Sequence, residues 1–161
     1  MKPVYLTQKN IKDIIELEKY HAPKPPYYSP YDEKALKYLF ENPDKCKAYG
    51  FFEANKLIGW GAFRTDWGKH KKEKSISEIS SIIISKKHRL KGLGSKMLNQ
   101  IIADIKKRNA QRAFLTVSPL NTGALILYLK FGFKIYDFRK DVYGPGSDRA
   151  YLQLKLNQSK A

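Results

Sequence analysis

Residues 75–105 change their apolar period once, and that change constrains the chain more than any other feature. "SISEISSIIIS" (75–85) mixes serines with a β-branched run and reads as a strand. From Leu93 the apolar residues fall at 93, 97, 98, 101, 102 and 105, the spacing of one helix face. Between the two lies "HRLKGLGSK" (88–96), with Gly92 and Gly94 just ahead of the helix. A strand that feeds a glycine-containing loop and then a helix suits a phosphate. The first N–H groups of a helix have no internal acceptor, and the helix dipole adds positive character there. Glycine lets backbone approach the anion, and Arg89, Lys91 and Lys96 add charge. The same residues also suit a tight turn that only starts a helix. The spacing is neither GxxxxGK[ST] nor GxGxxG with a downstream acid, so nucleoside-triphosphate and dinucleotide loops are set aside.

The remaining segments arrange themselves around this unit. "KPVYL" (2–6) reads as a short strand, and Thr7 caps a helix over 8–20 with Ile11, Ile14, Ile15 and Leu17 on one face. Four prolines in "HAPKPPYYSP" (21–30) forbid a helix, and Ser29, Pro30 and Asp32 mark the start of one that runs to Asn42. Strands are expected at 47–54 and 57–66 around an Asn55-Lys56 turn, at 112–118, at 133–143 and at 149–156, with a helix at 121–132 capped by Asn121. The order is βααβββαβαββ, a mixed α/β sheet in one domain over 1–157, followed by a short polar tail, 158–161.

Charge and cysteine content bound the partners. The formal net charge is +16, which favours nucleic acid, acidic protein surfaces or a phosphate-bearing cofactor. A solvated lysine-rich surface accounts for the same number, and "GKHKKEK" (68–74) reads first as a hairpin loop. The single cysteine, Cys46, excludes an internal disulfide and a multi-cysteine zinc site. His21, His70 and His88 show no ligand spacing, so no metal is expected. No stretch approaches the roughly 20 apolar residues of a membrane span, and "MKPVYLTQKN" lacks the apolar core of a signal peptide. A cytoplasmic protein, monomer or homodimer, with no membrane partner is the expectation.

Arg89, Gly92 and Gly94 reproduce Arg/Gln-x-x-Gly-x-Gly/Ala, and Asn121, Ala124, Tyr128, Gly132 and Phe133 reproduce Asn-x-x-Ala-x-x-x-Tyr followed by Gly-Phe. With this element order the chain resembles the GNAT superfamily of acetyl-CoA-dependent N-acetyltransferases over essentially its whole length. The resemblance implies a mostly antiparallel sheet with helices on both faces, split between strands four and five. Acetyl-CoA would lie in the split. Its pyrophosphate would rest on the N–H groups of Leu90, Lys91, Gly92, Leu93, Gly94 and Ser95. Its pantetheine arm would pair with Ile82, Ile83 and Ile84 and touch Asn121, and Tyr128 would sit near the sulfur.

The implied chemistry needs two proton transfers. An amine is protonated in water, with a pKa of about 8 for an α-amine and about 10.4 for lysine. It must lose a proton to attack the thioester, and the departing thiolate then takes one. Tyr128 is the general-acid candidate by its matched position; a core aromatic is the plainer reading of its helical face. Glu78 is the candidate base. It is an acid inside an otherwise apolar and serine strand, sharing a face with Ile82 by alternation, although a solvated strand end gives the same pattern. The histone-acetyltransferase branch places its glutamate the same distance before the glycine motif. A water chain without a dedicated base is the alternative.

The acceptor wall would come from 21–33 and 143–148, with Tyr27, Tyr28, Tyr31 and Tyr143 as contacts. The last loop resembles that of the protein N-terminal acetyltransferases, departing at Val142 and Arg149. The charge suits acidic peptides or an acidic protein partner better than polycations, unless Asp32, Glu33 and Asp148 make the cleft locally acidic. The first reading is therefore acetyl transfer to a protein or peptide amine by direct attack in a ternary complex. A small amine (polyamine, amino acid or aminoglycoside) is the second. A non-catalytic acyl-CoA-binding or nucleic-acid-associated module is the reading from a different class.

Overall fold

Alternation along residues 46–51 puts apolar side chains on both faces of one strand. Cys46 and Ala48 join one buried cluster, while Tyr49 and Phe51 join another. In the computed structural model, which describes residues 1–24, 30–65 and 75–156, these clusters are the two halves of a core divided by a sheet. The elements are β1 (Val4–Tyr5), α1 (Ile11–His21), α2 (Glu33–Glu41), β2 (Cys46–Glu53), β3 (Lys56–Thr65) and β4 (Ile76–Ile84), followed by α3 (Leu93–Lys107), β5 (Arg112–Val117), α4 (Thr122–Lys130), β6 (Lys134–Arg139) and β7 (Arg149–Lys155). The expected order holds.

The seven strands lie in the order β1-β2-β3-β4-β5-β7-β6. Every neighbouring pair is antiparallel except β4 and β5. Ile14 and Leu17 of α1 and Leu36 and Leu39 of α2 pack with Trp60 and Ile83 on one face. Met97, Leu98, Ile101 and Ile105 of α3 and Tyr128 of α4 pack with Phe63, Leu115 and Leu152 on the other. Helices therefore cover both faces, as expected. An acidic side chain is held within this packing too: Asp104 of α3 accepts from Tyr5 Oη at 3.1 Å and from Tyr49 Oη, with Lys47 Nζ at 3.4 Å.

Several boundaries differ from expectation for local reasons. The chain takes one 3-10 turn (Gln8–Asn10) before α1, held by Thr7 N donating to Asn10 Oδ1 at 3.0 Å. Helix α2 starts one residue after Asp32, whose carboxylate accepts from Ala35 N at 2.7 Å. The β2–β3 turn is Ala54-Asn55 rather than Asn55-Lys56, because Lys56 already pairs with Glu53 and both turn residues have positive φ. Strand β6 stops at Arg139, short of the expected 143. Its register shifts between Ile135 and Asp137, and the Asp137 carboxylate accepts from Phe138 N and Arg139 Nε, each at 2.8 Å. The "GKHKKEK" run, His70 and the 158–161 tail lie outside the described residues.

Candidate functional site

β4 and β5 pair only at Ile76↔Arg112, Ser77↔Ala113 and Glu78↔Phe114. Beyond that point β4 runs on to Ile84 and β5 to Val117 without pairing. A bulge accompanies the separation: Phe63 pairs with Ile79 and Ala62 with Ser81, leaving Ser80 unpaired. Bulges bend a strand and increase its twist. The result is a cleft of about 510 Å³ at the carboxyl ends of two parallel strands. Residues 79–84 form one wall, Thr116, Val117 and Ser118 the other, and the starts of α3 and α4 close the end.

The loop at that end is built for close approach to backbone. Leu90 (φ 60°) and Gly92 (φ 78°) are both left-handed, and Gly92 is the N-cap of α3. A Cβ on Gly92 would meet nothing within 4 Å, so its glycine is required by conformation and not by space. At Gly94 space is tight but not closed: a Cβ there would lie 3.3 Å from Leu127 Cδ2 of α4, a side-chain tip that a small shift would relieve. Gly92, Gly94 and Ser95 line the cleft, and the N–H groups of the first helical turn have no acceptor within the helix. Arg89 serves a different end from the one expected of its charge. Its Nε donates to Ile84 O at 3.0 Å and its Nη2 to His21 O at 2.6 Å, tying the loop to the end of β4 and to α1.

Ile82, Ile83, Ile84, Arg89, Leu90, Gly92, Gly94, Ser95, Asn121 and Tyr128 line one cleft. Lys91 is exposed, and the Leu93 side chain turns into the core. Asn121 caps α4, its Oδ1 accepting from Ala124 N at 3.4 Å. Tyr128 is 8% exposed and packs edge-on to Phe133. It is thus a core aromatic and a cleft residue at once. Burial pushes its phenol up to about 12, and Arg149 pulls in the opposite direction.

Glu78 requires a correction. Strict alternation would put it on the face of Ile82, but the unpaired Ser80 shifts the parity by one. Ile79 accordingly packs with Ile82 and Ile84 on the α3 side. Glu78, one residue before Ile79, lies on the opposite face, where Arg64 Nε donates to its Oε2 at 2.7 Å. It is not among the residues lining the cleft. The same side of the sheet holds Tyr31, whose ring packs edge-on to Trp60 at 5.4 Å and whose hydroxyl meets Ser80; burial pushes it up to about 12. Glu18 of α1, only 3% exposed, accepts from Trp60 Nε1 at 3.1 Å and from Tyr31 N at 2.8 Å. Tyr143 is exposed on a loop braced by Ser147 and Asp141. Tyr27 and Tyr28 lie outside the described residues. The acids named as a possible source of local acidity are engaged elsewhere: Asp32 caps α2, Glu33 pairs with Lys37 at 2.8 Å, and Asp148 accepts from Asp141 N.

Sequence reading gave no role to several residues that line the cleft, among them His21, Ser81, Thr116, Ser118 and Arg149. His21 Nδ1 accepts from Lys86 N at 3.3 Å, and burial followed by the charges of Lys86 and Arg89 lowers its pKa. Arg149 begins a strand, where a basic residue looks like a solvated strand end; only the register of β7 on β5 reveals its position. Among the described residues, no group of three or more His, Cys, Asp or Glu side chains could hold a metal ion.

The acetyltransferase (GNAT) family profile matches residues 16–133. The chain is 29% identical over 107 residues to the uncharacterized N-acetyltransferase YobR of Bacillus subtilis (strain 168), covering 66% of this chain but only 40% of that protein. Its fold superposes on the Salmonella typhimurium protein yncA, solved with its cofactor acetyl-CoA, with TM-score 0.83 and 18% identity over 100% of this chain and 96% of that one. It also superposes on the ribosomal-protein-S18-alanine N-acetyltransferase of Escherichia coli, with TM-score 0.78 and 16% identity over 98% and 95% of the two chains. At such identities these two likenesses speak for the fold alone.

Proposed function

The chain belongs to the acetyltransferase (GNAT) family, and on that premise we propose that it moves the acetyl group of acetyl-CoA to a primary amine, first of all a protein or peptide amine. One observation carries the reading: the separation of β4 from β5 gathers the start of α3, the capped start of α4 and Tyr128 around a single cleft. The residues present suit acetyl-CoA. The N–H groups from Leu90 to Ser95 would take its pyrophosphate, favoured by the helix dipole. The edge of Ile82–Ile84 that β5 leaves would take the amide groups of its arm, as an added strand does.

Bound there, acetyl-CoA supplies an activated acyl group whose carbonyl an amine nitrogen can attack. Tyr128 keeps its proton at neutral pH, because burial disfavours the phenolate. It can therefore give that proton to the departing sulfur. Glu78 is assigned the proton taken from the amine, relayed by water, since it stands outside the cleft wall on the side of Tyr31 and Ser80. Arg64 fixes the direction of its carboxylate. Tyr31 and Tyr143 form the acceptor wall. Tyr143, exposed and packed on the cleft residue Arg149, is placed to touch a chain that continues past the amine, which suits a peptide, and the +16 charge suits an acidic one.

A thermal-shift titration with acetyl-CoA, free CoA, ATP and RNA tests the site. Acetyl-CoA and CoA are expected to stabilise the folded chain by about 2.7 kcal/mol at a hundredfold excess over Kd. Equal stabilisation by RNA and none by CoA would replace this reading with the polyanion-binding one.

A further inference from the structure

We propose that Arg149 is a positioning residue for the transfer: its guanidinium is the fixed positive charge that steadies the negative charge left on Tyr128 Oη when the phenol gives its proton to the leaving sulfur. The inference rests on the reading of Tyr128 as general acid.

Geometry brings the two residues to one place from opposite sides of the sheet. Ala150 and Leu152 pack into the core beneath α3 and α4, so Arg149, one residue before Ala150, points to the other face. Tyr128 arrives from α4. In a continuous sheet the strands would separate them. Here β4 and β5 part after Glu78↔Phe114, and both residues line the opening.

Arg149 is also held in place. It is 8% exposed; its Nε donates to Thr116 Oγ1 at 3.3 Å and its Nη2 to Thr116 O at 3.5 Å, and the Tyr143 ring centroid lies 5.4 Å from Cζ. A guanidinium stays charged under all working conditions, and burying one is costly. A buried charge fixed before the reaction stabilises developing charge without reorganising. Tyr128 has that need, because burial opposes its phenolate and Arg149 is the charge that counters the burial.

The step balances without a further reactant. The amine nitrogen forms the new C–N bond, the C–S bond breaks, and sulfur keeps the electron pair and takes the proton of Tyr128. The proton given up by nitrogen passes through water to Glu78, which releases it to solvent, and the Tyr128 phenolate regains a proton from solvent. Amine and thioester become amide and thiol.

A double-mutant cycle tests the coupling. Single-turnover transfer from acetyl-CoA to a pool of free-N-terminal peptides, lysine peptides, amino acids and polyamines is measured for Arg149→Met, Arg149→Lys, Tyr128→Phe and the Met/Phe double variant. Arg149→Met is expected to slow transfer roughly tenfold or more in the parent, and less than about threefold once Tyr128 is Phe, with Arg149→Lys recovering most of the loss. Equal losses in both backgrounds overturn the inference and leave the general acid standing. An unchanged rate for Tyr128→Phe alone overturns the general acid, and the inference with it. Should Arg149→Met fail to fold, Thr116→Val loosens the guanidinium while keeping its charge. It must then slow the parent and spare the Phe variant, or the inference fails.

Discussion

Glu18 supports the proposed acceptor side from beneath. A carboxylate buried in α1 accepts from an indole N–H of β3 and from the backbone N–H of Tyr31, which lies beyond a proline-rich segment. It thereby pins residue 31 to the sheet. Glu18→Ala would leave both donors buried without that acceptor, at a cost of roughly 2–4 kcal/mol. Urea unfolding measures this, and Glu18→Gln, which keeps one acceptor, is expected to lose less. A loss below about 0.5 kcal/mol would mean that the Tyr31 segment is held by something else. The KM for the acceptor should rise in the same variants while acetyl-CoA affinity stays unchanged, because neither donor to Glu18, the Trp60 indole or the Tyr31 N–H, lines the cleft. None of this was readable from the sequence: a glutamate on the third turn of an amphipathic helix looks like a solvated polar position. Its partners come from 13 and 42 residues away.

Among the elements, the strand–loop–helix unit was the most legible, since its chemistry is local. A β-branched run, two glycines and a helical spacing each state their own geometry, and the cleft lies where those three meet. Gly92→Ala puts a Cβ on a residue at φ 78°, which costs about 1 kcal/mol of stability. It is also expected to weaken acetyl-CoA binding by about tenfold, because the displaced N–H groups are the ones assigned to the pyrophosphate. Isothermal titration checks the second number, and unchanged affinity would place the pyrophosphate elsewhere. Less legible was anything that depends on register. The unpaired Ser80 reverses the face of Glu78, and the sequence carries no mark of it beyond three serines in a strand. The early end of β6 likewise follows from the Asp137 side chain bonding its own neighbours, a competition between side chain and ladder that a strand propensity does not contain.

On the scale of the whole molecule, the two half-cores meet the sheet on opposite faces, and the sheet opens where β4 and β5 part, so stability and the candidate site divide the same structure. Tyr31 and Tyr128 belong one to each side, and burial holds both phenols near 12 against about 10 for an exposed tyrosine. The unfolded chain loses these protons first as pH rises. Their contribution is therefore complete below about pH 10 and is lost progressively as pH climbs from 10 to 12. Thermal unfolding at pH 8 and pH 11 should show a fall in midpoint, and Tyr31→Phe with Tyr128→Phe should reduce it, with Tyr49, whose phenol burial and Asp104 also push up, keeping part of the fall. An equal slope in the double variant would assign the alkaline loss to other groups. Among the described residues no helix is long and apolar enough to cross a membrane. On the proposed reading, the +16 charge would act at long range and favour acidic acceptors over polycations. The measurement that tests the acetyl-transfer reading most directly is one competition reaction. It contains acetyl-CoA with free-N-terminal peptides, lysine peptides, amino acids, polyamines and aminoglycosides, followed by mass spectrometry alongside a thiol assay. The expected result is an N-acetylated amine, mainly peptide, formed one-for-one with free CoA. Acetyl-CoA left intact, or hydrolysed with no amide formed, would contradict it.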